Sequence, residues 1–277
     1  MSEINGVLNR MLGSLVDGKV HYELCFHDHA EHIKISDCVG QHITLSFSGN
    51  RNCIACNRSV NKTFQQGYCF PCTQRLACCD ICIIKPELCH FHKGTCREPV
   101  WGEKNCMQPH YVYLANSSNI KVGITRAKNI PTRWIDQGAT QALQIFKVST
   151  RYMSGLVETI FKNEIADKTN WRRMLQQKAE PVDIYAVRDE LTNKLQTSIS
   201  QMQQQHSDGL EYLTESKQVE LEFPISQYPS KIVSLNFDKT PEISGNLMGI
   251  KGQYLILDTG VLNIRKFTGY GVACKIF

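Results

Sequence analysis

The spacing of apolar positions changes several times along this chain, and each change marks a predicted element. Val20 to Phe26 alternates loosely between apolar and polar residues. Ile43-Thr44-Leu45-Ser46-Phe47 alternates at period two, as a half-buried strand does. Tyr111 to Ala115 is an apolar strand, Asn116 to Asn119 are turn residues that can hydrogen-bond their own backbone, and Ile120 to Ile124 is a second strand. Gly123 inside that strand signals a bulge or a close approach of another group. Pro131 suits the first turn of a helix, and Trp134, Ile135, Ala139, Ala142 and Leu143 extend a mixed helical pattern that Gly138 interrupts. Gln144 to Thr150 alternates as a third strand. Leu156, Val157, Ile160, Phe161 and Ile165 then recur at the helical period. Val187, Leu191, Leu195, Ile199 and Met202 predict one connecting helix, which packs on a surface or pairs with a second copy; Ser207-Asp208-Gly209 predicts a turn. Val219 to Phe223 alternates strictly, and Tyr254 to Phe267 reads as a hairpin turning at Asp258-Thr259-Gly260.

These elements predict an α+β protein in five stretches: a β unit over 1–52, a Cys-rich region over 53–109, a small sheet with helices over 110–180, a connecting helix over 181–215 and a second β unit over 216–277. Gly-Gln recurs at Gly40-Gln41 and Gly252-Gln253, each before a strand, which raises the expectation that the two ends form one barrel or two related ones. No run of 18 apolar residues is present and the first residues have no secretory pattern, so the expectation is a cytoplasmic protein without a membrane partner. Nothing in the pattern specifies an oligomeric state.

Composition changes the picture at one place. Ten of the thirteen cysteines lie between Cys53 and Cys106. Cys53-x2-Cys56 and Cys69-x2-Cys72 are paired CxxC turns, the spacing of a structural four-thiolate zinc site with no open coordination position. Cys79-x2-Cys82, Cys96 and Cys106 are favoured as ligands of a second zinc, with Cys89, His90, His92 and His110 as alternatives. So few aliphatic residues cannot build much of a core, and metal binding would supply the folding energy instead. Cys25, Cys38 and Cys274 sit in strand-like settings and read as small buried hydrophobes. His27, His29 and His32 near Asp28 and Glu31 match no ligand spacing and read as a solvated turn.

Charge is uneven. The chain carries +5 overall, but Lys104 to Arg173 holds eleven Lys or Arg against four Asp or Glu, a local +7, whereas 181–222 holds three against eight, a local −5. A basic concentration of this kind suits phosphate contacts, and equally a solvated basic face.

The basic stretch resembles the GIY-YIG nuclease superfamily. Tyr111-Val112-Tyr113 stands where that family has GIY, Lys121-Val122-Gly123 where it has YIG, and Arg133 at the place of its helical Arg. Glu158 is placed like the metal-binding Glu, and Asn170 in Asp167-Lys168-Thr169-Asn170-Trp171 like the closing Asn. The whole chain is similar to uncharacterised bacterial proteins in which a Cys-rich segment precedes such a module. The resemblance implies metal-dependent hydrolysis of a phosphodiester in DNA or RNA. Tyr113 would be the general base or its relay, Arg133 would stabilise transition-state charge, and Glu158 would hold one Mg2+ or Mn2+. Lys121 would supply a cation beside Tyr113 or bind the phosphate itself, Asn170 would orient a ligand or brace the helix, and Thr125, Arg126 and Arg133 would contact phosphate. Residue chemistry alone offers other readings: a half-buried strand tyrosine at 113, an exposed i,i+4 ion pair of Glu158 with Lys162, a helix cap at Asn170. Two positions depart from the family pattern, Tyr111 for its first Gly and Lys121 for its second Tyr; the second favours a non-catalytic binding protein that kept the fold. A zinc-stapled protein-interaction scaffold is the third class.

Overall fold

The computed structural model describes residues 2–27, 29–165, 169–206 and 209–277. Of the positions discussed above, Asp28, Asp167, Lys168, Ser207 and Asp208 lie outside them. The chain opens with strands β1 (Ser2–Val7), β2 (Leu12–Val16), β3 (Lys19–Glu23) and β4 (His42–Arg51). The Cys-rich region follows, with only two short helices, α1 (Phe70–Arg75) and α2 (Pro99–Cys106), and a series of 3-10 turns. Next come β5 (His110–Asn116), β6 (Ile120–Arg126), α3 (Thr132–Asp136), β7 (Gln141–Val148), α4 (Arg151–Lys162) and α5 (Trp171–Gln176). Helices α6 (Ile184–Lys194) and α7 (Gln196–Gln205) and strands β8 (Leu210–Tyr212) and β9 (Val219–Glu220) lead to β10 (Glu242–Lys251), β11 (Tyr254–Leu257), β12 (Gly260–Asn263) and β13 (Tyr270–Ile276).

While β3 pairs with β2 in a separate two-stranded ribbon, the alternation over residues 43–47 and the hairpin from Tyr254 resolve into one sheet. Its antiparallel order is β1-β13-β4-β10-β11-β12, so both termini share a single layer. That path is open, and among the described residues no pairing closes it into a barrel. The central sheet runs β6-β5-β7-β8, with β9 also paired to β7. One face of it, through Tyr113, Ala115 and Ala142, joins Trp134 and the apolar side of the terminal sheet in the larger core. The other face, through Val112, Leu114, Val122 and Leu143, is covered by α4, α6 and α7. The molecule is thus three layers deep, which is why β5 and β7 are buried on both faces. Among the described residues, no helix is long and apolar enough to cross a membrane.

Three local expectations are corrected. The helix after the hairpin ends at Asp136: Gly138 has φ +65, and an added Cβ there would strike Met174. Ala142 and Leu143 therefore belong to β7. The connecting helix breaks at Leu195 into α6 and α7, letting Ile184, Leu195, Ile199 and Met202 all turn into the core over the central sheet. Of the alternation over Val219 to Phe223, only Val219–Glu220 is strand, and it pairs with β7, not with the terminal sheet.

Candidate functional site

Tyr113 and Gly123 face each other across β5 and β6. The Tyr113 ring lies over the glycine so closely that a Cβ on residue 123 would sit 2.6 Å from the phenol oxygen. Trp134 of α3 closes on the same ring edge-on, with centroids 6.0 Å apart. The phenol donates to Gln137 Oε1 at 2.9 Å. Burial pushes its pKa up, the neighbouring Arg133 pulls it down, and Glu158 lies near enough to push it up again; the balance is upward. Arg133 and Glu158 thus both lie within electrostatic reach of Tyr113, and Gln137, which the sequence did not single out, is bonded to it. Gln137 lies between the end of α3 and Gly138, and nothing in the sequence pattern marks it.

The other predicted residues have definite partners. Glu158 is buried and pairs with Lys162 at 3.1 Å. Lys121 is buried and its amine donates to Thr169 Oγ1. Thr125 is buried, its hydroxyl on the backbone carbonyl of Arg126. Asn170 caps α5, its Oδ1 accepting from the Arg173 N–H at 3.2 Å. Arg126 donates to Asn105 and lies within electrostatic reach of Cys106.

Around this centre cations accumulate. Arg133 acts electrostatically on Arg151 and on Arg265, and Arg265 also feels Arg10. Two carboxylates accompany them: Glu158, and Asp136, which pairs with Arg10 at 3.4 Å, accepts from Gln253 at 2.8 Å and offsets the arginines around Arg265. Arg265 donates from Nε to Gln66 of the Cys-rich region. Four separate stretches of chain meet here: residues near 10, 66, 133 and 265.

The first cysteine set is as the spacing requires. The sulfurs of Cys53, Cys56, Cys69 and Cys72 all lie within 4.8 Å of one another. Cys56 and Cys69 are 3.8 Å apart, the edge of a tetrahedron with metal–sulfur bonds of about 2.3 Å. Cys69 is the residue before α1, so Pro71 and the helix start orient Cys72. Burial pushes the Cys53 thiol up, but hydrogen bonds from the N–H groups of Cys69, Ala55 and Cys56 outweigh it and bring the pKa down to about 6. Burial and the three neighbouring thiols push Cys72 up to about 12. Four thiols this close repel as anions unless a cation joins them, and the donor set suits a metal ion such as zinc.

A family model described as a protein of unknown function, DUF2797, matches residues 40–272, which includes the four-cysteine cluster, the central sheet and most of the terminal sheet. The chain belongs to the DUF2797 family. No curated protein and no solved structure matches it. The family description names no activity, and it carries no GIY-YIG assignment.

The remaining thiols of this DUF2797 chain are arranged differently from the set favoured on spacing. Cys82, Cys96 and Cys106 line one small cavity, and Cys89 joins them there. Cys79 does not line it; its sulfur lies 4.0 Å from that of Cys78, which in turn approaches the Tyr68 hydroxyl. Asp80, on the same cavity, accepts from Arg97 at 2.6 Å and from the Cys82 N–H at 3.2 Å. Asp80, Cys82 and His90 also place one donor atom each within 4.8 Å of the others. His92 packs beside Tyr152, and His110 is wholly buried with Nδ1 on the Gln108 carbonyl.

Proposed function

We propose that this DUF2797 chain acts on the phosphodiester backbone of DNA or RNA, as a metal-dependent nuclease centred on Tyr113, Arg133 and Glu158. The observation that carries the reading is that Arg133 and Glu158 both lie within electrostatic reach of Tyr113, with Arg151 and Arg265 in turn within reach of Arg133. Neighbouring cations raise one another's energy where carboxylates do not offset them, and a polyanion relieves them. Hydrolysis needs a water to attack phosphorus and positive charge on the non-bridging oxygens. Arg133 supplies that charge. Glu158 would hold a Mg2+ or Mn2+, which with its single carboxylate would also need phosphate and water oxygens. Because burial holds the Tyr113 phenol protonated, its role in this scheme is to relay a proton or position a water through Gln137, not to act as a free phenolate. Zinc on Cys53, Cys56, Cys69 and Cys72 is structural.

One observation favours a second reading, a non-catalytic nucleic-acid-binding protein. Tyr113 is wholly buried and its hydroxyl is already engaged by Gln137, while Lys121 replaces the second family tyrosine.

The test is cleavage of labelled single-stranded, duplex and branched DNA and RNA with Mg2+ or Mn2+, in preparations of equal zinc content. The nuclease reading expects cutting that Glu158→Ala and Arg133→Ala each abolish. Binding that weakens with salt and with Arg133→Ala, but with no cutting on any substrate, supports the second reading. Neither cutting nor salt-sensitive binding removes both.

A further inference from the structure

The segment from Ala77 to Cys106 is folded without a share in the apolar cores. No residue of it belongs to any described apolar cluster, and Ile81, Ile84, Leu88 and Val100 are exposed. Polar contacts tie its successive 3-10 turns together. Glu98 accepts from the Ala77 N–H at 2.7 Å, and Arg97 donates to the Thr73 carbonyl at 2.8 Å and to Asp80 at 2.6 Å. Within this frame Asp80, Cys82 and His90 each bring one donor atom to within 4.8 Å of the others. All three line one cavity of about 10 Å3, room for a single atom-sized occupant.

The spacing of two of these donors suits a shared ion. His90 Nε2 and Asp80 Oδ2 are 3.6 Å apart. That is too long for a hydrogen bond, and close to the ~3.4 Å edge of a tetrahedron whose metal bonds are about 2.0–2.1 Å. The other ring nitrogen of His90 is already used. Thr95 gives its one hydroxyl proton to the His90 carbonyl at 3.3 Å, so it accepts from Nδ1 at 2.8 Å. Nδ1 therefore carries the proton of the neutral ring, and Nε2 turns a lone pair toward the Asp80 carboxylate. Two lone pairs facing each other repel unless a cation joins them.

The surroundings of the three donors are those of oriented ligands. A metal-bound histidine is held by a bond at its far nitrogen, as Thr95 holds His90. Asp80 is braced from both sides, by Arg97 at Oδ2 and by the Cys82 N–H at Oδ1, 3.2 Å away. The same carboxylate caps the turn Ile81–Ile83 and so fixes where Cys82 sits. Arg151 donates to the carbonyls of Cys82 and Ile83 and anchors that turn to α4.

We propose that Asp80, Cys82 and His90 bind a second zinc ion, with solvent as its fourth ligand. Oxygen, sulfur and imidazole nitrogen are the donor types zinc takes. Among the described residues no further thiol, imidazole or carboxylate lies as close to all three, which leaves the fourth position to solvent. Cys89, Cys96 and Cys106 line the cavity without joining the set, and Cys79, despite its CxxC spacing from Cys82, takes no part. Zinc replaces the Cys82 thiol proton, which leaves to solvent. The ion spans the loop between Cys82 and His90, whose turn Pro86–Leu88 rests on α4 at Gly155, where any side chain would strike Pro86 and Glu87. It thereby fixes that loop against the helix that carries Glu158. This inference does not depend on the nucleic-acid reading.

The experiment is zinc content per chain of the purified full-length protein after dialysis against metal-free buffer, by elemental analysis and native mass spectrometry. About two zinc ions per chain are expected in the wild type, one on the four thiols of the Cys53 set and one on Asp80, Cys82 and His90. Cys53→Ser should remove one and keep the second. His90→Ala, Cys82→Ser and Asp80→Ala should each remove the second and keep the first, while Cys79→Ser and Cys89→Ser should keep both. X-ray absorption at the zinc edge of the wild-type protein needs no variant to fold. It should show nitrogen and oxygen ligands beside sulfur, because only one of the two sites is all sulfur. A single ion that Cys53→Ser removes overturns the proposal, and the approach of His90 to Asp80 is then that of a protonated ring beside a carboxylate. A zinc shell of sulfur alone overturns it too, as does a second ion that His90→Ala leaves in place.

Discussion

Between Ala77 and Cys106 the buried residues are Cys79, Cys82, Cys89 and Cys106 with Ala77, Asp80, Pro86 and Gly102, while Ile81 and Ile84 face water. Across β5, β6 and β7 the inward positions are Val112, Leu114, Val122, Leu143 and Ile145, and both faces of the sheet are covered. The two regions touch along α4, yet they are held by different physics. An apolar core loses stability gradually, a methylene at a time. A closed metal site is all-or-none, because removing one of four ligands undoes the geometry of the other three.

The sharpest test of this contrast is metal removal. Stripping zinc from the Cys53 site should cost on the order of 10 kcal/mol of apparent binding free energy. Limited proteolysis read by mass spectrometry should then cut first within 53–106 and spare 110–165. Early cuts in β5 to β7 would break the comparison. On the other side of it, Phe161→Ala should lower stability by about 3–5 kcal/mol with zinc content unchanged; thermal unfolding beside elemental analysis reads both. A loss of zinc in that variant would mean the two regions are one cooperative unit.

The boundary residue His110 should give an effect of about 3 kcal/mol. Burial, assisted by the nearby Arg151 and Arg126 and opposed by its bond to the Gln108 carbonyl, brings its pKa from 6.5 down to about 4. Below pH 6.5 the unfolded chain takes up a proton that the folded one refuses. Stability therefore falls as pH drops from about 6.5 to about 4, and is restored above that window. Denaturant unfolding at several pH values should show this slope in the wild type and a flatter one in His110→Gln. Equal slopes would remove His110 from the account.

The smallest effect belongs to Asn170. Its side chain caps α5, so Asn170→Ala should cost about 1 kcal/mol and Asn170→Asp much less. A loss of nucleic-acid binding or cutting in both variants, with stability kept, would show a ligand role beyond the cap.

Much of this was legible in the residues because the signals are local. Gly123 marked a close approach, and the group that approaches is the Tyr113 ring itself. The paired CxxC turns located the first sulfur cluster, and the stripe through Val157 and Phe161 became the buried side of α4. What stayed hidden has physical causes. Strand β7 is buried on both faces, so Ala142 and Leu143 show no alternation and pass for helix. Cys89 lies seven residues from Cys82 and seven from Cys96, a spacing without a tight-turn signature, whereas Cys79 pairs with Cys82 as CxxC, yet it is Cys89 that lines the small cavity. Gln137 carries no charge and sits where a helix ends, and only packing brings it to Tyr113. The expectation that the two ends belong together holds in outline, but they form one open sheet whose register, in pairs such as Ser2 with Ile276, no local pattern encodes.

That last pairing has a consequence for how the protein is made. Strand β13 lies between β1 and β4, with Tyr270 opposite Arg51 and Ile276 opposite Ser2. At ordinary elongation rates the ribosome takes roughly ten to forty seconds to travel from β4 to β13. Throughout that interval β1 and β4 have no common neighbour, and each leaves an open strand edge to whatever else is nearby. The nascent chain is therefore vulnerable to stray strand pairing until β13 emerges, and its yield should depend on chaperone capacity more than the stability of the finished fold would suggest.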